Sequence, residues 1–499
     1  MKLLRVYLLG PLLIMVSWGS SSQGAEDADT KEVIKQLQRR IEELEQKVKT
    51  LENNQGKSAI TNQPPSRRST QEPAPTAETR PSTREVEREP ASERAAALPL
   101  VSLGLNGLIV RSADSNFLMN IHGYAQADAR FYVQDHNPAN DTFLLRRVRP
   151  IIEGSIYNRF DYRLMADFGS GDVSSSTPGN NAILNDAYVN GRFLQNLQVQ
   201  VGKYKSPVGL ERLQSTAELL FIENGFATQL TPNYDLGAEV HNSLFNSPIS
   251  YAIGIFNGAA DAASSDADTT DEGKDVAGRL FFQPFLRSGN EPLRGLGFGV
   301  GGSVGHHEGP LPSYKTPGQQ AFFSYASGVS AFGQQYRIDP QLFYYWGSFG
   351  ILGEYILSSQ KAKSTIPGTL QSPRFNNTAW QIEASYFLTG DQNSFRASSR
   401  DALRPAHPFT FAGEGWGAVE FVARIQQLSL DRDAFPRYVS KTSAREETAW
   451  GVGLNWYLNS NLRLYLDYEQ TRFDGGSKDA GSVTAHDEHV VLGRVQFGF

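Results

Sequence analysis

The chain has 499 residues, no cysteine and a formal net charge of −6. The lack of cysteine excludes disulfides, zinc–thiolate sites, thiol catalysis and a lipoprotein anchor, and the negative balance argues against nucleic acid as a partner. After the N-terminus no apolar run reaches the roughly 18 residues of a membrane helix, which excludes a helical membrane protein. Two classes of protein remain possible: a chain of soluble domains, or a β-barrel. The strands of a barrel alternate apolar and polar residues and therefore contain no long apolar run.

Residues 1–24 are predicted to be a secretory signal peptide. Lys2 and Arg5 supply the positive start, an apolar core follows, and Ser22 and Gly24 supply the small residues before a cleavage site. A membrane anchor is the alternative, but the apolar core is short and a polar segment follows it. The mature chain is therefore expected to be exported.

Residues 31–53 carry apolar residues at alternating spacings of three and four, which predicts about three heptads of coiled coil. The seam consists of Ile34, Leu37, Ile41, Leu44, Val48 and Leu51. These residue types favour a parallel dimer, whereas residues 40–45 (RIEELE) resemble a short trimerisation motif in which an Arg bonds a Glu of the next helix. We expect a trimer. The alternative is a single amphipathic helix lying on another domain.

Residues 54–99 are rich in Pro, Ser, Thr, Glu and Arg and almost free of apolar residues. Such a segment cannot bury a core, so a disordered linker is predicted. A flexible chain of about 45 residues averages roughly 35–40 Å end to end. The coil is therefore expected in the periplasm within reach of the cell wall, and its contact with peptidoglycan is a further hypothesis.

From Phe117 to the C-terminus, apolar and polar residues alternate with the period of a β-strand. In the last strand Phe499, Phe497 and Val495 form one apolar face, and this aromatic end resembles the signal read by the bacterial barrel-insertion machinery. The clearest hairpin turns at residues 459–461. Such an aromatic-flanked face, sustained from residue 117 to residue 499, is typical of an outer-membrane barrel rather than a soluble sandwich.

The predicted fold class is all-β, a transmembrane antiparallel barrel. About 383 residues at roughly 24 per strand and connection give about 16 strands, a size that leaves a water-filled channel. The longer polar stretches are expected to be extracellular loops: residues 258–275, 306–320, 359–375, 391–412 and 431–446. The adjacent pair His306–His307 lacks a third ligand at metal spacing and is expected to be solvated. No metal and no cofactor are expected.

Several stretches resemble the phosphate-selective porin O and P family: residues 112–117 (SADSNF), 143–149 (FLLRRVR), 185–189 (NDAYV) and, most specifically, 201–212 (VGKYKSPVGLER). The resemblance covers roughly residues 105–499, which we take as the barrel domain. It implies a trimeric 16-stranded porin in the outer membrane of a Gram-negative cell. It also implies a third extracellular loop, at about residues 206–230, that folds inward and narrows the pore, where basic residues draw anions through.

By position, the resemblance carries over an adjacent arginine pair, a buffering carboxylate and three residues of the inward loop. These are Arg146 and Arg147, Asp186, and Arg212, Ser215 and Thr216. Arg149 is included because it forms a period-two pair with Arg147. At a constriction, guanidinium and hydroxyl groups can replace part of the hydration shell of an anion.

Two departures weaken the prediction of phosphate specificity. Asp161 follows Phe160 where phosphate-specific members carry a Lys, and no run of three arginines at period two forms a ladder towards the site. We therefore expect a general porin with a mild preference for anions, and phosphate selectivity is the more specific alternative.

The basic residues of the wall also have structural interpretations. On a regular strand Arg146 falls out of phase with Arg147, so it lies at the rim unless a bulge re-aims it. Lys203 and Lys205 end a strand whose apolar residues face lipid. They are therefore either residues of the channel or residues of the membrane interface whose ammonium groups extend into water.

The remaining site residues have structural interpretations as well. Arg212 could pair with Glu211 or Glu218 and hold the loop in place. Asp186 could form a wall pair with Arg192. Each pairing would make the side chain a part of the scaffold instead of the ion path.

The sequence favours a passive channel for small hydrophilic solutes, with outer-membrane lipid, further copies of the chain and ions in transit as partners. An envelope connector, in which the barrel anchors a coil at the cell wall, is the alternative. An enzyme is not expected, because the sequence contains no Gly-x-Ser-x-Gly elbow and no His-Glu-x-x-His motif.

Overall fold

A computed structural model describes residues 99–133, 139–169, 182–245, 247–267, 272–393, 395–396, 399–400, 403–476 and 483–499. The predicted signal peptide, the coiled-coil seam and the linker up to residue 98 lie outside these residues. No helix within the described residues is long and apolar enough to cross a membrane.

Sixteen antiparallel strands of the described chain close into a barrel, as the sequence predicted. They are β3 (Phe117–Tyr132), β4 (Thr142–Ile156), β5 (Phe160–Asp167), β6 (Ile183–Leu194), β7 (Leu197–Lys205), β8 (Tyr234–Leu244), β9 (Ile249–Phe256), β10 (Asp275–Phe282), β11 (Leu296–Pro310), β14 (Val329–Trp346), β15 (Phe349–Ser364), β16 (Arg374–Phe387), β19 (Ala418–Ser429), β20 (Ala444–Tyr457), β21 (Leu462–Gly476) and β22 (Glu488–Gly498). The barrel closes where β22 pairs with β3, from Val490 opposite Tyr132 to Gly498 opposite Tyr124.

The remaining elements are short. They are the strands β1 (Leu100–Gly104), β2 (Gly107–Arg111), β12 (Tyr314–Lys315), β13 (Ala321–Phe323), β17 (Phe395–Arg396) and β18 (Ser399–Arg400), the helices α1 (Leu210–Leu213) and α2 (Glu291–Arg294), and 3₁₀ turns at Phe226–Leu230, Arg432–Ala434 and Val483–Ala485. The sequence did not predict the β1–β2 hairpin. This hairpin extends the sheet because β2 pairs with the start of β3, from Leu118 to Ile121.

The two faces of the strands are as predicted. In β22 Val495 and Phe497 are about half exposed, at 49% and 51%, as is the C-terminal Phe499 that follows the strand, at 48%, while Arg494 and Gln496 are buried inside. An outward apolar face and an inward polar face are what a barrel in a bilayer requires. Because every strand has two different environments, the period-two pattern identified the faces reliably.

One predicted loop lies at the wrong end of the barrel. The stretch 391–412 was expected to be extracellular, but it follows β16 at the end where the short turns and the C-terminus lie. There the Phe409 backbone N donates to Leu458 O (2.7 Å), and Arg404 Nη2 donates to Asn106 Oδ1 (3.1 Å). The polar composition identified a loop, but only the number of preceding strands determines the end at which it lies.

The lumen is not uniformly aqueous, because an apolar cluster fills part of it. The β12–β13 hairpin folds into the barrel, and its Tyr314, Phe322 and Phe323 are buried beside Phe226 and Phe375. The rings of Tyr314 and Phe323 stack at 5.6 Å between centroids. These contacts restrict the open space inside the barrel.

The expectation for His307 was wrong. Its side chain is buried, and Nε2 lies 2.9 Å from Asp275 Oδ1, whereas His306 is half exposed. The two histidines point to opposite faces because adjacent residues alternate on β11. Asp275 also bonds Arg337 (3.2 Å), so His307 belongs to a buried polar network of the wall.

Candidate functional site: the inward loop and its arginine-lined cavity

The connection between β7 and β8, residues 206–233, folds into the lumen and is called the inward loop below. It contains α1 and the 3₁₀ turn Phe226–Leu230, and its Val208, Phe221 and Ile222 are fully buried. The predicted position of this loop, about residues 206–230, therefore agrees with the structure. A loop with this many apolar residues is stable only where it can bury them, which the interior of the barrel allows.

Wall carboxylates hold the inward loop on the side of β14–β21. The backbone N–H groups of the loop donate to buried carboxylates, from Gly209 to Asp339 (2.8 Å), from Leu210 to Glu354 (2.7 Å) and from Ile222 to Asp467 (2.7 Å). A loop in a closed interior needs such partners because an unpaired buried N–H group is costly. These bonds keep the loop against one wall and leave the cavity beside β4 and β7.

A β-bulge turns both adjacent arginines of β4 inward. Gln126 of β3 lies opposite Arg147, whereas the next residue, Ala127, lies opposite Leu145, so Arg146 is the extra residue. The side chains of Arg146 and Arg147 are only 14% and 6% exposed. The sequence left the orientation of Arg146 open, and the bulge places it in the lumen.

Glu223 of the inward loop is the residue that the sequence analysis missed. Its carboxylate accepts from Arg146 Nε (2.7 Å) and Nη2 (3.1 Å) and from Arg130 Nη2 (3.0 Å), and Arg147 Nη2 lies 3.8 Å away. Burial opposes the charge, but these guanidinium groups outweigh it and hold the pKa of Glu223 well below its usual range. Glu223 is therefore ionised throughout the physiological pH range.

Arg149 connects the wall to the inward loop. Its Nε donates to Asp167 Oδ2 (2.7 Å), and its Nη1 donates to Thr216 Oγ1 (2.8 Å). The Thr216 hydroxyl also lies 2.6 Å from the hydroxyl of Tyr124. The structure thus brings together Arg149 and Thr216, two residues that the sequence assigned to the constriction.

Arg212 and Lys205 differ from the other cations of the site because their partners are neutral. Arg212 donates from Nε to Thr231 Oγ1 (3.0 Å) and from Nη2 to the carbonyl of Thr228. Lys205 Nζ donates to Gln214 O (2.6 Å). Neither makes an ion pair within the described residues, so the structure does not show the alternative pairing of Arg212 with Glu211 or Glu218.

Asp186 does form a pair with an arginine, but the partner is not Arg192, the one that the structural alternative named. Arg163 Nε lies 3.0 Å from its Oδ2, whereas Arg192 lies 3.1 Å from Asp161. A second bulge, at Asn185, accompanies this arrangement. Asp161, which raised doubt about phosphate binding, stands at the start of β5 next to a short turn, where it pairs with Arg192.

The arginines surround a cavity of about 540 Å³. Five of the seven predicted residues line it: Arg146, Arg147, Arg149, Arg212 and Thr216. Ser215 instead lines a second cavity, of about 650 Å³, towards the short-turn end. Asp186 lines neither of these two cavities.

Cations predominate around the first cavity. The basic lining residues are Arg146, Arg147, Arg149, Lys205, Arg212 and Lys315, and the acidic ones are Glu223 and Asp261. A confined space with this balance raises the local concentration of anions. Among the described residues, no group of three or more His, Asp or Glu is placed to hold a metal ion.

The described barrel is similar to several solved outer-membrane proteins. OmpT of Vibrio cholerae shares 10% identity, with 78% of this chain and 100% of that chain covered and a TM-score of 0.49. An anion-selective porin from Comamonas acidovorans shares 11% identity, with 76% and 99% covered and a TM-score of 0.45. With similarities this low, the barrel assignment rests on the strand pairing. No curated protein matches the chain.

The family comparison is more specific. The model of the family described as phosphate-selective porin O and P matches residues 119–499. This range starts within β3 and includes every later strand of the barrel. The chain therefore belongs to the phosphate-selective porin O and P family, and it is an outer-membrane channel rather than an enzyme.

Proposed function

We propose that this porin is a diffusion channel with a preference for small anions, and that ions pass between the inward loop and the wall formed by β4 and β7. The observation that supports the proposal is the excess of six basic over two acidic residues around the cavity at this position. Electrostatic potential in a narrow space bounded by protein is much less screened than at an open surface.

Lys205 and Arg212 are the best candidates to contact a permeating anion. Because each donates only to neutral oxygen atoms, an anion can compete for these donors without breaking an ion pair. A cation binds an anion more strongly than it binds a neutral oxygen atom, because the Coulomb attraction between opposite charges is added to the hydrogen bond. The exchange therefore offsets part of the dehydration of the anion, while the neutral partners remain available when it leaves.

A general anion preference fits the site better than tight phosphate binding. Arg146 and Arg130 are engaged by Glu223, and Arg149 is engaged by Asp167. The guanidinium groups therefore do not form a continuous unpaired ladder. Phosphate is expected to pass as one of several anions.

The assembly of the chain is a separate proposal. The family resemblance and the RIEELE motif at residues 40–45 both support a homotrimer. The coil, predicted for residues 31–53, would then lie in the periplasm. Contact of this coil with peptidoglycan remains a hypothesis of the same kind.

Reversal potentials across a planar bilayer in a KCl gradient test the proposed function. The wild-type channel is expected to be more permeable to chloride than to potassium, and Arg212→Glu is expected to reduce or invert this preference. Lys205→Gln should reduce it less, because it removes one charge instead of reversing one.

The matched control is Arg294→Glu. Arg294 lies in α2 on the exposed surface, with 52% of its side chain exposed and an i,i+3 pair to Glu291, and the substitution makes the same charge change away from the cavity. An unchanged preference in Arg212→Glu, or a cation preference in the wild type, would contradict the proposal.

A further inference from the structure

The surroundings of Glu223 have the composition of an anion-binding site. Arg146 binds the carboxylate through two nitrogen atoms, Arg130 binds it through a third, and Arg147 lies within ion-pair distance. Planar guanidinium groups recognise carboxylates and phosphates by the same forked geometry. A free anion could therefore occupy the place that the Glu223 carboxylate occupies in this structure.

Glu223 is buried but not remote from the ion path. Its side chain is only 3% exposed, yet the residue lines the 540 Å³ cavity together with Arg146 and Arg147. Its backbone carbonyl accepts from Arg424 Nη1 (3.0 Å) on the opposite wall. This bond and its own ion pairs fix the carboxylate at the edge of the cavity.

Three guanidinium groups lie within ion-pair distance of the single Glu223 carboxylate. Without Glu223, Arg146 and Arg130 would lose the carboxylate that they share, and a multivalent anion could take its place. A channel conducts only if its sites release an ion as readily as they bind it.

We propose that Glu223 is a tethered internal anion that fills the strongest anion-binding position of the inward loop and so keeps the channel permeable to many anions. The inference rests on the proposed function, because it assumes that ions pass through this cavity. A tethered carboxylate has an effective concentration above that of dissolved phosphate. The arginines therefore attract passing anions while their tightest position stays occupied.

An alternative role for Glu223, as an anchor of the loop and nothing more, leads to opposite results. Loss of an anchor would loosen the inward loop, so that conductance rises and ion selectivity falls. Loss of an internal anion would leave the loop in place on its wall carboxylates, raise anion selectivity and create a site at which phosphate blocks the current.

The test is the variant Glu223→Gln in planar bilayers, with chloride over potassium permeability and block by added inorganic phosphate as readouts. We expect higher anion selectivity than in the wild type. We also expect half-block at a phosphate concentration at least about tenfold lower, the size of effect typical for one charged hydrogen bond. Glu218→Gln is the control, since Glu218 lies in the same loop but pairs with Arg463 (2.8 Å) beside the second cavity.

A double variant, Glu223→Gln with Arg130→Gln, separates the loss of the carboxylate from the change of net charge in the lumen. It removes one negative and one positive charge, and Arg130 does not line the cavity. We expect chloride selectivity close to that of the wild type and phosphate block still stronger than in the wild type. This variant decides the question alone if Glu223→Gln does not fold.

Phosphate block equal to that of the wild type in the variants that fold would overturn the inference. Higher conductance with lower selectivity in Glu223→Gln would also overturn it in favour of the anchor. The inference is judged on the ratio of phosphate block in the variants to that in the wild type. The proposed function is judged on whether the wild-type channel prefers anions or cations. Failure of one is thus distinguishable from failure of the other.

Discussion

The two walls that face the inward loop use the same residue types for different purposes. On the side of β14–β21, Arg424 is fully buried among carboxylates, with Glu383 at 3.1 Å and Glu469 at 2.8 Å. On the side of β4 and β7, Lys205 and Arg212 meet only neutral oxygen atoms. The first wall holds the loop, and the second faces the cavity.

The difference shows that the function of a charged residue in a lumen depends on whether neighbouring residues of opposite charge neutralise it. A buried cation that carboxylates fully neutralise is costly to disrupt and adds little to the electrostatic potential of the lumen, whereas a cation beside open space and neutral acceptors contributes its full field. The formal net charge of −6 gives no indication of this separation. Changes to the two walls should therefore have different kinds of effect.

The largest effect is expected from Arg424→Met. It leaves Glu383 and Glu469 buried without their cation, and breaking a buried ion pair from one side typically costs about 3–5 kcal/mol. The free energy of unfolding, measured by denaturant titration in detergent micelles, should fall by this amount. The matched control is Arg472→Met, whose side chain is 70% exposed in its contact with Asp487, where a loss below about 1 kcal/mol is expected. Equal losses in both variants would show that the buried ion pairs of the first wall do not stabilise the fold more than an exposed pair does.

A smaller effect is expected from Asp161→Lys, which restores the residue type of the phosphate-specific family members. Asp161 lies next to a short turn and pairs with Arg192 at a partly exposed site, where both side chains are more than one-third exposed. A surface pair of this kind contributes about 0–1 kcal/mol, so phosphate block in a planar bilayer should change by less than about fivefold. Tight phosphate block in this variant would place the phosphate site at the short-turn end instead of at the inward loop.

The smallest effect is expected from acidification between pH 8 and pH 5. The pKa of Glu223 is held below its usual range, so its stabilising contribution is present above the unfolded value and is lost only as the pH falls through the lower folded value. The difference in reversal potential between wild type and Glu223→Gln should therefore stay constant over this range. A difference that disappears near pH 5 would mean that Glu223 is protonated there and not held by the arginines.

The sequence predicted the barrel well because its signal is repeated in every strand. Each strand contacts lipid on one face and the lumen on the other, so alternation identifies faces, as in the exposed Phe497 and buried Gln496. Loops lack this repetition, and the stretch 391–412 was therefore placed at the wrong end. The predicted coil and linker lie outside the described residues and remain predictions.

The sequence predicted which residues form the candidate site better than it predicted the contacts that they make. Bulges decide the orientation of Arg146 and accompany the buried Asp186, and the sequence does not reveal where a strand gains a residue. Glu223 had one usable signal: it directly follows the apolar run of residues 219–222, in a loop expected to fold inward. A charge in such surroundings is buried only with partners, and the partners lie far away in sequence.

The most direct test of the account is the reversal potential of the wild-type channel and of Arg212→Glu in the same KCl gradient. The excess of cations around the cavity predicts that chloride is favoured in the wild type and that the preference collapses in the variant. A wild-type channel that favours potassium, or a variant with an unchanged preference, would contradict the claim that the inward-loop cavity sets ion selectivity.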